Sequence, residues 1–142
     1  MKKFILLVPC ALCLATLIGC ASIKETAKGI AGVSTKVLEE NRKEAITRRF
    51  AIDYSGCYKE TMDILRRTGS YVYADDASKG MIAVYISSED TTPVGVFLKV
   101  VTEKSTQVEV SSPSTYGKEL IAGRVFSGLE NKINPVRKIP AS

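Results

Sequence analysis

An α+β fold, a two-layer sandwich with two helices on one face of an antiparallel sheet of four to five strands, is what this chain predicts. Three observations carry that prediction. Apolar residues recur at helical spacing in two separate stretches, Cys57 to Leu65 and Ala122 to Ile133. Between them the pattern changes to alternation, clearest in Val94, Val96, Leu98 and Val100. Clusters of turn residues, Asp75 to Gly80, Ser88 to Pro93 and Glu103 to Ser105, separate the alternating runs.

The chain opens MKKFILLVPCALCLATLIGC. Lys2 and Lys3 precede an apolar run, Phe4 to Ile18, that is short for a bilayer span and ends at the small residue Gly19. A cationic end, an apolar middle and a small-residue exit are the parts of a secretory signal peptide. Leu17-Ile18-Gly19-Cys20 resembles the lipobox of bacterial lipoproteins, in which the cysteine thiol is acylated and the signal peptidase cuts just before it. The resemblance implies a signal peptide over residues 1–19, lipidation at Cys20, and a lipid bilayer as the first partner. Ala21 stands where aspartate marks inner-membrane retention in the enteric pattern. In a Gram-negative host this implies the periplasmic face of the outer membrane.

Residues 20–47 read as the lipidated N-terminus and a polar spacer. Ala21 to Ser34 is expected to be flexible, and Thr35 to Ile46 (TKVLEENRKEAI) to form a short, mostly solvated helix. The domain is expected over residues 48–134. Phe50, Ile52 and Tyr54 alternate with Ala51, Asp53 and Ser55 and predict the first strand. Ser55 is the expected cap of a helix from Gly56 to Thr68, with Cys57, Thr61, Ile64, Leu65 and Thr68 on one face and Gly69 as its stop. Strands follow at Tyr71 to Ala74, Met81 to Ser87, Val94 to Val101 and Thr106 to Ser111. Ser112 to Thr115 breaks the sheet, and Lys118 to Ile133 predicts a second helix with Ala122, Val125, Phe126, Leu129 and Ile133 in one stripe. Asn134-Pro135 ends it, leaving residues 135–142 as a tail.

The side-chain inventory narrows the chemistry. The chain has no histidine, which removes Ser-His-Asp and Cys-His nucleophile systems and most zinc sites. Once residues 1–19 leave and Cys20 is acylated, Cys57 is the last thiol, so no internal disulfide can form. It is expected to be a buried small hydrophobe rather than a nucleophile. The acidic pairs Glu39-Glu40, Asp75-Asp76 and Glu89-Asp90 are sequence neighbours that point apart, not carboxylates converging in a cleft. Lys79-Gly80 and Gly117-Lys118 lack the spacing of a phosphate loop. Tyr71, Tyr73 and Tyr85 are expected to share one sheet face as a packed or solvated ladder. The net charge of +5 includes Lys2 and Lys3, and the basic pairs Arg48-Arg49, Arg66-Arg67 and Arg137-Lys138 form no stripe, so no nucleic-acid partner is expected. No catalytic, cofactor or metal residue is assigned.

A second resemblance concerns the domain. Ala51-Ile52-Asp53-Tyr54, the helix to Leu65, Gly69, Asp75-Asp76 and Lys79-Gly80-Met81-Ile82-Ala83 resemble a recurring pattern in small bacterial lipoproteins of unknown function. The arrangement is also similar to helix-grip modules of lipoproteins that accompany outer-membrane assembly machinery. It departs from that pattern at Cys57-Tyr58, where a tryptophan or another bulky residue often starts the helix. The resemblance implies a fold and no chemistry, because its Asp and Gly positions make a turn. The expected function is a membrane-anchored, non-catalytic envelope module that works through protein partners. The alternative is a small-molecule or lipid-binding module with a pocket between the sheet and the C-terminal helix.

Overall fold

The computed structural model describes residues 34–135. Their order is a short helix α1 (Thr35–Glu40) continued by a 3-10 turn (Asn41–Glu44), β1 (Ile46–Phe50), α2 (Tyr54–Arg67), β2 (Tyr71–Asp76), β3 (Met81–Tyr85), β4 (Pro93–Thr102), β5 (Ser105–Ser111) and α3 (Thr115–Ile133). The five strands form one sheet in the order β1-β5-β4-β3-β2, and every neighbouring pair is antiparallel. The fold is α+β, as the change of period predicts.

The sheet has an inner and an outer face. Alternation sends Ile82 and Val84 of β3, Val94, Val96 and Leu98 of β4, and Val108 and Val110 of β5 to the inner face, where α2 and α3 cover them. Helix α2 contributes Cys57, Ile64 and Leu65, and α3 contributes Ile121, Ala122, Val125, Phe126 and Leu129. Ile121 belongs to the buried set although the sequence stripe omitted it, whereas Ile133 at the helix end is only partly buried. The two helices touch closely at Gly128, where an added Cβ would lie 2.5 Å from Ile64 Cδ1. Phe50 and Phe126 meet at 5.6 Å between ring centroids and tie β1 to α3.

Element boundaries depart from the sequence reading in instructive places. The first strand runs from Ile46 to Phe50, not from Phe50 to Tyr54. Ile52 and Tyr54 pack on the core from the connection and the first helical turn, so their alternation with Phe50 continues across a strand end. The cap of α2 is Asp53, whose carboxylate accepts from Gly56 N at 3.0 Å, and Ser55 lies already inside the helix. Thr68 is the exposed C-cap instead of a core residue; its hydroxyl donates back to Ile64 O at 2.8 Å. Gly69 then turns the chain at φ +84°. Asp75 and Asp76 extend β2 beyond the predicted Ala74, so the turn shrinks to Ala77–Gly80. At Gly80 φ is +65°, and a Cβ there would sit 2.2 Å from Leu98 O.

The largest correction is on the outer face. The segment expected to be a solvated spacer helix lies on the sheet. Leu38 of α1 has no exposed surface and packs against Ala83 and Phe97. Ser111 Oγ donates to Leu38 O at 2.7 Å, and Arg42 stacks over the Phe97 ring at 4.4 Å while bonding Glu109 at 2.6 Å. Residues from Ser34 onward therefore belong to the folded unit, and β1 begins two residues before the expected boundary at Arg48.

Candidate functional site

Cys20 and the signal-like segment lie outside the described residues. Within them, the one thiol, Cys57, sits in the first turn of α2 with no exposed surface. Burial pushes its thiol up to about 11; the Thr61 hydroxyl one helical turn on opposes this to a lesser degree. The geometry gives a packing residue, since the thiolate is the reactive form and burial suppresses it.

Two of the three acidic pairs resolve into local bonding, while Glu39-Glu40 ends α1, with Glu40 in an exposed pair with Lys36. Asp75 Oδ2 accepts from Tyr58 OH at 3.2 Å, which joins α2 to β2. Asp76 Oδ1 accepts from Ser78 Oγ at 2.6 Å and from the Ser78 and Lys79 amides at 3.0 and 3.2 Å. These bonds, the Ser78 hydroxyl first, hold the Asp76 carboxyl below its ordinary range. Asp90 binds Thr92 in the same manner, through its side chain at 2.6 Å and its amide at 3.1 Å. The two carboxylates of the Asp75-Asp76 pair thus serve different elements. Among the described residues no group of three or more His, Cys, Asp or Glu is placed to hold a metal.

The tyrosines do share the outer face. Tyr73 stacks on Tyr85 at 4.4 Å and 24°, and Tyr71 lies nearly parallel to Tyr85 at 6.2 Å and 11°. A register shift between Val72 and Ala74 lets Tyr71 and Tyr73 both reach Tyr85 while Val72 points to the core. Burial, with Tyr85 second, pushes the Tyr73 phenol up to about 12. Its oxygen is buried, with no hydrogen-bond partner among the described residues. The layer between sheet and α3, where a ligand pocket was the alternative expectation, is occupied by side chains: Val96, Val108, Val125 and Leu129 have no exposed surface. A recess of about 310 Å³ lies elsewhere, lined by Glu40, Asn41, Lys43 and Glu44 at the end of α1, and it is polar.

The β4–β5 hairpin overhangs the sheet. β3 pairs with β4 only from Pro93 to Phe97, whereas β1 follows β5 up to Thr106, so the overhang is mainly that of β4 past β3 and passes both strands only from Val101 to Ser105. A register shift between Val100 and Thr102 marks the overhang, and Thr102 and Ser105 close it through hydroxyls 2.8 Å apart. Val100 continues the inward row of Val94, Val96 and Leu98, yet it is 56% exposed because the helical layer ends before it; Val101 beside it is 37% exposed. The alternation that identified this strand runs on through Val100. Parity alone does not show where the covering layer stops. None of the described helices is long and apolar enough to cross a membrane.

No protein-family model matches the chain, and no curated protein matches it.

Proposed function

We propose that the chain is a lipid-anchored envelope lipoprotein whose α+β domain works as a non-catalytic interaction or structural module. Leu17-Ile18-Gly19-Cys20, placed after Lys2-Lys3 and one apolar run, carries this reading. Acylation of Cys20 would tether the domain to a bilayer. The 14 residues from Cys20 to Val33 then span at most about 50 Å before the first described residue.

Three structural observations support the module half of the reading. The inner layer is packed with apolar side chains, which gives a buried ligand little room. Cys57 is held as a neutral thiol in that core. The carboxylates of Asp53, Asp76 and Asp90 are engaged in a cap and in turns. What remains is surface, and the module acts by what that surface touches.

Replacing Cys20 with Ala tests the anchor. The variant should lose acylation and stay unprocessed at the cysteine, seen as altered migration and an unmodified N-terminal peptide by mass spectrometry. A Cys20→Ala chain that fractionates and migrates like the parent overturns the lipoprotein reading. Crosslinking in native envelopes, with recovery of attached proteins, tests the module half: a chain that crosslinks to no protein while remaining anchored argues against it.

A further inference from the structure

We infer that the overhanging tip of the β4–β5 hairpin, Lys99 to Lys104, docks on the surface of the bilayer to which the chain is anchored. The inference rests on the lipid-anchor reading and adds an orientation to it. Val100 and Val101 are adjacent exposed apolar residues at the end of the hairpin, past the last β3 partner at Phe97; Val100 stands opposite Thr106, the last residue of β5 paired with β1, and Val101 lies beyond both strands. Lys99 and Lys104 flank them, both exposed and neither paired with a carboxylate among the described residues. Glu103 is the tip's single acidic group, so the segment carries a net positive charge.

An apolar pair rimmed by cations has the chemistry of an interfacial contact: the valines enter the boundary of headgroups and acyl chains, and the lysines meet anionic phosphates. Neither interaction is strong alone. A tether changes that, because an anchored domain samples the bilayer at high effective concentration and a weak contact suffices to fix its orientation. Thr106, buried and bonded to Ile52 O, fixes the base of the tip, and the register shift and the Thr102–Ser105 pair shape the part beyond it.

The chain contains no tryptophan, so one introduced at the tip is a unique reporter. The full-length chain carrying Val101→Trp is purified from membranes and reconstituted into vesicles of phosphatidylethanolamine and phosphatidylglycerol. Docking predicts that its emission shifts to the blue and is quenched by lipids brominated on their acyl chains. A Tyr116→Trp reporter, at a site 63% exposed on the first turn of α3, should keep water-like emission. Adding Val100→Asp, or Lys99→Gln with Lys104→Gln, to the Val101→Trp chain should return its emission toward the water-like position without moving the melting temperature. An acylated, vesicle-bound chain whose tip tryptophan stays in water overturns the docking, as does equal quenching at both sites. A shift seen in native envelopes and missing from protein-free vesicles also overturns it and assigns the tip to a protein partner. Mass spectrometry of the Cys20 peptide in the same preparation separates this failure from that of the anchor: an unacylated Cys20 overturns both.

Discussion

The two faces of the sheet solve the same problem with very different means. The inner face is a continuous apolar layer closed by two helices of 14 and 19 residues. The outer face is covered near its middle by a helix of six residues that inserts one side chain, Leu38, and is held by the Ser111–Leu38 bond and the Arg42 contacts with Phe97 and Glu109. Hydrophobic area sets the inner face; a few specific contacts set the outer one. The first tolerates changes that keep volume and fails when volume is lost, whereas the second depends on individual groups.

The largest effect that would break this contrast is expected on the inner face. Phe126 is buried, packs on Phe50, and lies under the Arg48 guanidinium at 5.0 Å. Phe126→Ala should remove about 3–5 kcal/mol, read as a clear fall in the denaturation midpoint. A small domain has roughly 5–10 kcal/mol in total, so an unchanged melting curve would mean that α3 is a docking element and not a lid.

Leu38→Ala is the matching test on the outer face. A fully buried leucine at a helix that can settle toward the sheet should cost about 2–3 kcal/mol, near the low end of such truncations. Deleting residues 1–45 should cost at least as much. If Leu38→Ala is neutral, α1 rests on the sheet without stabilising it, and the domain boundary returns to Arg48.

Cys57 sharpens the comparison through pH. Its folded thiol is pushed from 9.0 to about 11 by burial. Below about pH 9 both folded and unfolded chains hold the proton, and stability is complete. Between about 9 and 11 the unfolded chain ionises while the folded one does not, so stability falls as pH rises. Tyr58 and Tyr73, each raised from 10.0 to about 12, add to the decline from about pH 10 and carry it on to about 12. The denaturation midpoint of Cys57→Ala should lose the part of the slope between pH 9 and 11 that belongs to the thiol. At pH 8 the Cys57 peptide should escape alkylation until denaturant is added.

The smallest effect is expected at Glu130. It pairs with Arg48, but both side chains are about half exposed, and water screens such a pair. Glu130→Ala should stay within about 0.5 kcal/mol of the parent. A larger loss would show that the Arg48–Phe126 stack depends on the carboxylate to hold the guanidinium in place.

The same contrast explains what was legible in the sequence. The inner face announces itself by period: Val94, Val96 and Leu98 alternate, and Val125, Phe126 and Leu129 form a helical stripe, so both helices and four strands are readable. The outer face has no period to read. Leu38 is a lone leucine within Thr35–Glu40, and its burial depends on Gly95 and Ala83 leaving room for it. The first strand slipped for the opposite reason, because Ile52 and Tyr54 pack inward from a turn and a helix and prolong its alternation. Asp53 could have been recognised as the α2 cap from its place immediately before Tyr54, an apolar residue that opens the helix. The tip of the hairpin was hidden because period identifies a side of a strand and says nothing about the extent of the layer above it.

The pairing of β1 with β5 has a consequence for the order of events when the chain is made. These strands are the first and the last of the sheet, and their register joins Ile46 to Val110 and Phe50 to Thr106. A chain leaving a ribosome or a membrane channel emerges N-terminus first, so β2, β3 and β4 can zip into hairpins while β1 still has nothing to join. Its three exposed central residues, Thr47, Arg48 and Arg49, keep that waiting segment hydrated and its cations repel other waiting copies. Closing so distant a contact is a slow step for a nascent chain. Arg48 and Phe50 then meet Phe126, which emerges later still. Helix α3 therefore latches β1, and the described domain becomes cooperative only once α3 has emerged.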